Sequence, residues 1–296
     1  MKLQNEHPIL LTGASSQIGR FLLPQLLDAG YQVMALSRRP KPDWVLAHPR
    51  HEACHWINAD LNTIPKNLPC KQAEILLHLA PITLLPELLE HLPDLQRLIA
   101  FSSTSRFCKL DSSDPGERDI ANALIDAESV VVRLCDACQV RWTLFRPTLI
   151  YGCNRDKNVY FITQFIQRFH FFPVLAPANG KRQPVHAEDL AIACIQALNH
   201  PHTALHSYNL SGGETLTYKE MVARIFQATG QPTRILAIPA WLFRSAITVL
   251  RLFPKYRHIS SAMMERMNEP LYYPHIEATR DFDYKPRGFT PPKDTD

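Results

Sequence analysis

Three short stretches of this chain hold groups that could do chemistry. The first is Pro8-Ile9-Leu10-Leu11-Thr12-Gly13-Ala14-Ser15-Ser16-Gln17-Ile18-Gly19-Arg20, an apolar run feeding a turn and then a helix. A buried parallel strand that ends at Gly13 and turns directly into a helix offers free backbone N–H groups and the positive end of the helix dipole to a pyrophosphate. Gly13 and Gly19 keep side chains out of the phosphate's way, and Ser16 is a small residue that can cap the helix start. A tight strand-to-helix turn with no ligand is the alternative for this stretch taken alone. The second is Ser37-Arg38-Arg39-Pro40, closing the next apolar run. An acid here would accept from the 2′-hydroxyl of NAD, whereas Arg suits a 2′-phosphate. Two arginines and no acid predict NADP(H) in preference to NAD(H), with solvated loop charges as the alternative. The third is Ser102-Ser103-Thr104-Ser105. Four hydroxyls at a strand's carboxyl end lie where open α/β sheets hold their ligands.

These stretches need a scaffold, and the chain is long enough to supply one. With 296 residues, 46% hydrophobic and 20% charged, it predicts a full core in one large or two intimate domains. The net charge is +4 and the basic residues are scattered rather than striped, so no nucleic-acid groove is expected. The polar start, residues 1–7, runs straight into the first strand and leaves no room for a signal peptide, so the cytoplasm is the expected compartment. Seven cysteines, an odd number, predict free thiols. His51-Glu52-Ala53-Cys54-His55 spells H-E-x-x-H, a motif that binds zinc only on a helix. Here Pro49 precedes it and a strand follows, which would hold the two histidines about 13 Å apart. Cys135-Asp136-Ala137-Cys138 lacks a second pair, so both are expected in the core. No metal site is expected.

Tyr31–Leu36, Cys54–Ala59, Ala73–Pro81, Leu95–Ser105 and Arg141–Gly152 read as further strands, and Pro115–Gln139 as a long helix. The pattern Thr12-Gly13-x-x-Ser16-x-x-Gly19, with Asp60-Leu61, His78-Leu79-Ala80-Pro81, the hydroxyl cluster, Arg146-Pro147-x-x-Ile150-Tyr151-Gly152 and Arg182-x-x-x-His186-x-x-Asp189-Leu190-Ala191, resembles the extended short-chain dehydrogenase/reductase family, the nucleoside-diphosphate-sugar epimerases and their relatives. Ser16 departs from that family by replacing its middle glycine.

The resemblance implies a cofactor held by Gly13, Ser15, Ser16, Gln17, Ile18, Gly19, Arg38, Arg39, Asp60, Leu61, Leu79, Ala80, Pro81, Ser102 and Pro147. It places Thr104, with Ser103 or Ser105 as the alternatives, against the reacting oxygen, and Arg182 against a substrate diphosphate. It leaves Arg146 either beside the nicotinamide or in a salt bridge that locks its loop. The family's Tyr-x-x-x-Lys pair is missing: Ile120 or Ala121 and Leu124 or Ile125 stand at its places, and no tyrosine in the chain has a lysine four residues later. Tyr151 is the first candidate for a replacement acid/base, with an anchoring role for its ring as the alternative. The expected site is an open cleft where Ser103, Thr104, Tyr151 and Arg182 converge.

The fold expected is α/β, a Rossmann-type doubly wound parallel sheet over 1–152 plus 184–212, with a smaller C-terminal substrate lobe of 153–183 plus 213–296. Val159–Phe172 is expected to be helical. Ile235–Phe253 is expected to be a buried helix of that lobe: Pro239, Arg244 and Arg251 argue against a spanning segment, and contact with a membrane surface is the alternative. Two functions remain open. One is an NADP(H)-dependent epimerase, dehydratase or reductase acting on a small nucleotide-sugar-like substrate. The other is a catalytically silent NADPH-binding sensor or scaffold. A homodimer is left open.

Overall fold

The computed structural model describes residues 8–64, 69–154, 156, 158–242 and 264–292. The polar start at 1–7, Lys157 and the apolar stretch from Phe243 to Phe253 lie outside the described residues.

Seven strands form one parallel sheet: β1 (Ile9–Thr12), β2 (Val33–Ser37), β3 (Cys54–Asn58), β4 (Ile75–His78), β5 (Arg97–Phe101), β6 (Arg141–Pro147) and, late in the chain, a strand at His206–Leu210. Six short strands in smaller sheets complete the set: β7 (Ile150–Tyr151), β8 (Phe172–Leu175), β9 (Lys181–Arg182), β10 (Val185–His186), β12 (Leu216–Thr217) and β13 (Ile235–Ile238), which makes His206–Leu210 strand β11. The order across the large sheet is β11-β6-β5-β4-β1-β2-β3. The sheet is therefore wound outward in both directions from β1 and β4, a doubly wound Rossmann-type α/β fold. The crevice beyond the carboxyl ends of β1 and β4 is where such sheets bind ligands. β1, β4 and β5 are buried along their whole length, which is why they read as continuous apolar runs rather than alternating ones.

Nine helices among the described residues cover the sheet and build the smaller lobe: α1 (Gln17–Asp28), α2 (Asp43–Leu46), α3 (Leu85–Leu89), α4 (Ser105–Cys108), α5 (Pro115–Ala137), α6 (Val159–Phe169), α7 (Ala187–Asn199), α8 (Tyr218–Ala228) and α9 (Ile276–Phe282). One face of the sheet packs on α1, α7 and α9, the other on α3 and α5. A third core gathers α6, α8, Tyr151, Phe172, Val174, Met267 and Phe289. α8 starts with a reciprocal cap, the Thr217 hydroxyl taking the Glu220 N–H and the Glu220 carboxylate taking the Thr217 N–H.

Four expectations need correction. The segment from Ile235 begins as strand β13, paired parallel with β8, because a four-residue apolar run ending at Pro239 fits a strand as well as a helix. α6 stops at Phe169, where His170 takes the left-handed conformation, and β8 begins at Phe172. α9 packs on the large sheet beside β11 rather than within the smaller lobe. Cys138 caps α5 and is exposed, unlike buried Cys135.

Candidate functional site

The turn after β1 is set by local chemistry. Gly13 has φ +65°, and a Cβ there would lie 2.8 Å from the Leu79 carbonyl carbon, so only glycine lets β1 pass this close to the end of β4. A Cβ on Gly19 would meet the Ala14 carbonyl oxygen at 2.3 Å. Ser16 adopts an extended backbone, and its hydroxyl accepts the Gly19 N–H at 3.1 Å. The serine that replaces the family glycine is thus used as the N-cap, with its oxygen turned toward the helix.

Beyond this turn opens a cavity of about 740 Å³. It is lined by Gly13, Ser15, Ser16 and Gln17 from the turn, Arg38 and Arg39 from the end of β2, Asp60 and Leu61, and Leu79, Ala80 and Pro81. Ser37 and Asn62 also line it, and sequence reasoning passed over both. The Ser37 hydroxyl is a hub, sharing a 2.8 Å hydrogen bond with Ser15 and accepting the Arg39 N–H at 3.0 Å. Asn62 donates its backbone and side-chain N–H groups to one Asp60 oxygen, which holds the Asp60 carboxyl below its usual range. The Asp-x-Asn spacing is the sequence signal for that turn. Arg38 and Arg39 are exposed, with no ion-pair partner among the described residues. Beneath the floor, His78 is fully buried. Its Nε2 donates to the Pro81 carbonyl at 3.1 Å, so its Nδ1 must accept the Thr12 hydroxyl at 2.8 Å. Burial lowers its pKa to about 4 and keeps the ring neutral.

The remaining expected residues do not face this cavity. Ile18 and Gly19 pack inside α1's contact with the sheet. Ser102 donates to Glu128 at 2.5 Å. The Glu128 carboxylate, nearly buried, is also gripped by Arg146 and by Arg106. Arg146 therefore takes the salt-bridge role, and Arg106, not anticipated, adds a second cation. The Pro147 carbonyl accepts both the backbone N–H and the hydroxyl of Thr104 at 3.1 Å, leaving Thr104 buried. The Ser103 hydroxyl accepts the Ser105 N–H and stays partly exposed.

The expected convergence of Ser103, Thr104, Tyr151 and Arg182 is absent. Tyr151 is 1% exposed, wedged edge-on between His186 and Phe289, and its oxygen accepts the Thr290 N–H at 3.2 Å. Burial raises its phenol above the ordinary tyrosine value, the opposite of what a proton acceptor needs. These contacts favour the anchoring role of the ring over an acid/base role. Arg182 is also buried; its guanidinium donates to the carbonyls of Lys181 at 2.7 Å, Glu269 at 2.9 Å and Arg266, and lies over the Tyr218 ring. Its donors serve the chain that follows residue 264 rather than a diphosphate. That same chain closes on the large sheet's helices: Arg266 pairs with Glu117 of α5, and Tyr273 stacks on Phe107 at 5.7 Å. On α5, at the places of the missing pair, Ala121 is buried, Ile120 is exposed and Leu124 packs against the core. No cluster of three or more metal-ligating side chains occurs among the described residues.

A parallel sheet wound from a glycine turn, with a cavity at its switch point, defines a Rossmann-type α/β protein. The NAD dependent epimerase/dehydratase family matches residues 9–90 and 79–211, and the chain belongs to that family. UDP-glucose 4-epimerase of Vibrio cholerae is 25% identical over 136 residues, 46% of this chain and 42% of that protein, so the chain spans about two-fifths of this relative's length. Among solved structures, an epimerase of Methanothermobacter thermautotrophicus superposes with a TM-score of 0.72 at 16% identity, covering 95% of this chain and 88% of that one. UDP-glucuronic acid 4-epimerase of Bacillus cereus, solved with UDP-glucuronic acid and NAD, gives 0.72 at 14% identity, covering 95% of both chains. At these identities the structural likeness speaks for the fold.

Proposed function

We propose that this chain is an NADP(H)-binding protein whose nucleotide site is retained and whose acid/base chemistry is not, so that it acts as a sensor or scaffold. The observation that carries the nucleotide half is the rim at the end of β2, where Arg38 and Arg39 line the cavity and no carboxylate occupies the ribose-selecting place. The turn's residues suit the pyrophosphate: Gly13 leaves room for close approach, and α1 presents its N-terminus. When bound, the nicotinamide would supply hydride transfer. This chain's own part is to hold the adenine end between Arg38, Asp60 and Leu61, and to pass the ribose over Leu79, Ala80 and Pro81. The silent half rests on Tyr151 and Arg182, both turned into structural contacts.

A second reading is an epimerase, dehydratase or reductase acting on a nucleotide-sugar-like substrate with a non-standard acid/base. Ser103, partly exposed at the end of β5, favours it. One experiment separates the two: titrate the protein with NADPH and NADH, then add UDP-glucose or UDP-glucuronic acid and follow the nicotinamide absorbance and sugar products. Tight NADPH binding with no turnover is expected. Epimerised or oxidised sugar formed in proportion to the enzyme, and lost in Ser103→Ala, establishes the second reading; weak binding of both nucleotides overturns both.

A further inference from the structure

A second cavity, of about 410 Å³, opens where the loop after β11 meets the start of α9. None of its lining residues lines the cavity at the β1 turn. Gln183, between β9 and β10, lines it and is only 5% exposed. Its Oε1 accepts the Tyr273 N–H at 2.8 Å, which fixes the orientation of the amide, and its Nε2 has no hydrogen-bond partner among the described residues. A buried amide donor without an acceptor is rare in a folded protein, and the space before this one is the cavity. His275 lines the same space. Fully buried Ser211 shares a 2.7 Å hydrogen bond with its Nδ1 and has no other side-chain partner among the described residues, so the hydroxyl donates and the ring proton stays on Nε2. Arg280 adds a cation whose Nε and Nη2 go to Asp281, with Nη1 left over among the described residues. No acidic side chain lines the cavity. Its remaining wall is apolar: Tyr272 is 53% exposed and Ile276 72%. Tyr272 lines this cavity whereas its neighbour Tyr273 stacks on Phe107, so the two rings serve different places.

We propose that this cavity binds a small organic carboxylate, whose oxygens accept from Gln183 Nε2 and Arg280 and whose apolar body lies against Tyr272 and Ile276. Its volume falls at the lower end of small-molecule sites, and a mostly apolar wall with a few converging polar groups is how such sites are built. Donors with no lining acid select an acceptor-rich group, and a neutral amide beside one half-engaged arginine suits a single negative charge better than the two of a phosphate monoester. The proposal does not depend on NADP(H) occupying the other cavity.

The test is a fluorine NMR titration of the full chain with para-fluorophenylacetate and, as the uncharged counterpart, para-fluorophenylacetamide, each with and without saturating NADPH. The acid is expected to bind, the amide about tenfold more weakly, and NADPH to leave both unchanged. Arg280→Gln should weaken the acid by about tenfold and the amide little. Gln183→Glu keeps the acceptor for the Tyr273 N–H and replaces the free donor by an acid, so it should abolish binding of the acid. Should that buried change prevent folding, Ile276→Glu sets the same repulsion at a 72% exposed position, where the melting temperature should not change. Absence of binding by the natural protein overturns the proposal, as does binding of the acid that Arg280→Gln and Ile276→Glu both fully retain. Equal affinity for acid and amide overturns the carboxylate assignment, and displacement of the acid by NADPH would place it in the other cavity.

Discussion

Replacing Arg38 by alanine tests the cofactor assignment at the residue on which it depends. Arg38 sits at the end of β2 on the cavity rim, near enough to Asp60 that the two charges interact. A 2′-phosphate carries between one and two negative charges, and a charge-assisted hydrogen bond contributes about 1.5–3 kcal/mol. Because Arg38 is exposed and Asp60 offsets part of its field, the low end applies, about 1.5 kcal/mol or roughly a tenfold loss. The quantity to measure is the ratio of NADPH to NADH dissociation constants, read by energy transfer from protein tryptophans to the reduced nicotinamide. In the natural protein that ratio should favour NADPH, and the preference should shrink from 50 to 300 mM salt as screening grows. In Arg38→Ala the ratio should move about tenfold toward parity, with NADH affinity little changed. An unchanged ratio would refute the reasoning, since it would make Arg38 a solvated loop charge. An equal loss for both nucleotides would also refute it, because the arginine would then hold something common to both.

Two further outcomes follow from buried groups. Tyr151→Phe keeps the ring between His186 and Phe289 and removes only the acceptor for the Thr290 N–H; the expected cost is about 1 kcal/mol in a denaturant titration, with NADPH affinity unchanged, and a marked loss of affinity would return Tyr151 to the site. His78 is neutral in the folded protein because burial lowers its pKa to about 4, whereas the unfolded chain protonates it near the ordinary histidine value; the unfolded state therefore binds the extra proton first, and stability falls as pH drops from about 6.5 toward 4. Its share of that loss is about 2–3 kcal/mol at pH 4.5, so the difference in unfolding free energy between pH 7 and 4.5 should be smaller by that amount in His78→Leu; an equal difference in both proteins would show that His78 does not titrate this way.

The nucleotide half was legible because each of its parts is local. Gly13, Ser16 and Gly19 fix a turn through their own backbone and caps, and β1, β4 and β5 read as strands because a parallel sheet buried on both faces leaves apolar runs. Even the departure at Ser16 was readable, since its hydroxyl reaches only three residues along. The substrate half was not legible in the same way. Arg182 and His186 fall in β9 and β10, but where the Arg182 guanidinium goes depends on carbonyls at Arg266 and Glu269, more than eighty residues later. Tyr151 likewise depends on Phe289 and Thr290. Nothing near either residue in sequence encodes those partners.

This distance dependence carries an argument about function. An open substrate cleft in this fold would lie between the hydroxyl cluster after β5, the N-terminal half of α5 and the smaller lobe. Here those three places are joined by the chain that resumes at Met264. Arg266 reaches Glu117 near the start of α5, Tyr273 covers Phe107 just past the hydroxyl cluster, and Arg182 of the smaller lobe ties the carbonyls of the same segment. The ion pair and the guanidinium are largely buried, and breaking one partner of a buried pair leaves the other charge uncompensated, a cost of about 3–5 kcal/mol. A substrate would have to offset that cost before any proton moved, and on α5 it would then meet alanine, leucine and isoleucine where the acid/base pair is expected. Among the described residues, no ion pair crosses the lining of the cavity at the β1 turn. The contrast between this tied substrate side and the open cavity at the β1 turn is what favours the sensor or scaffold reading proposed above.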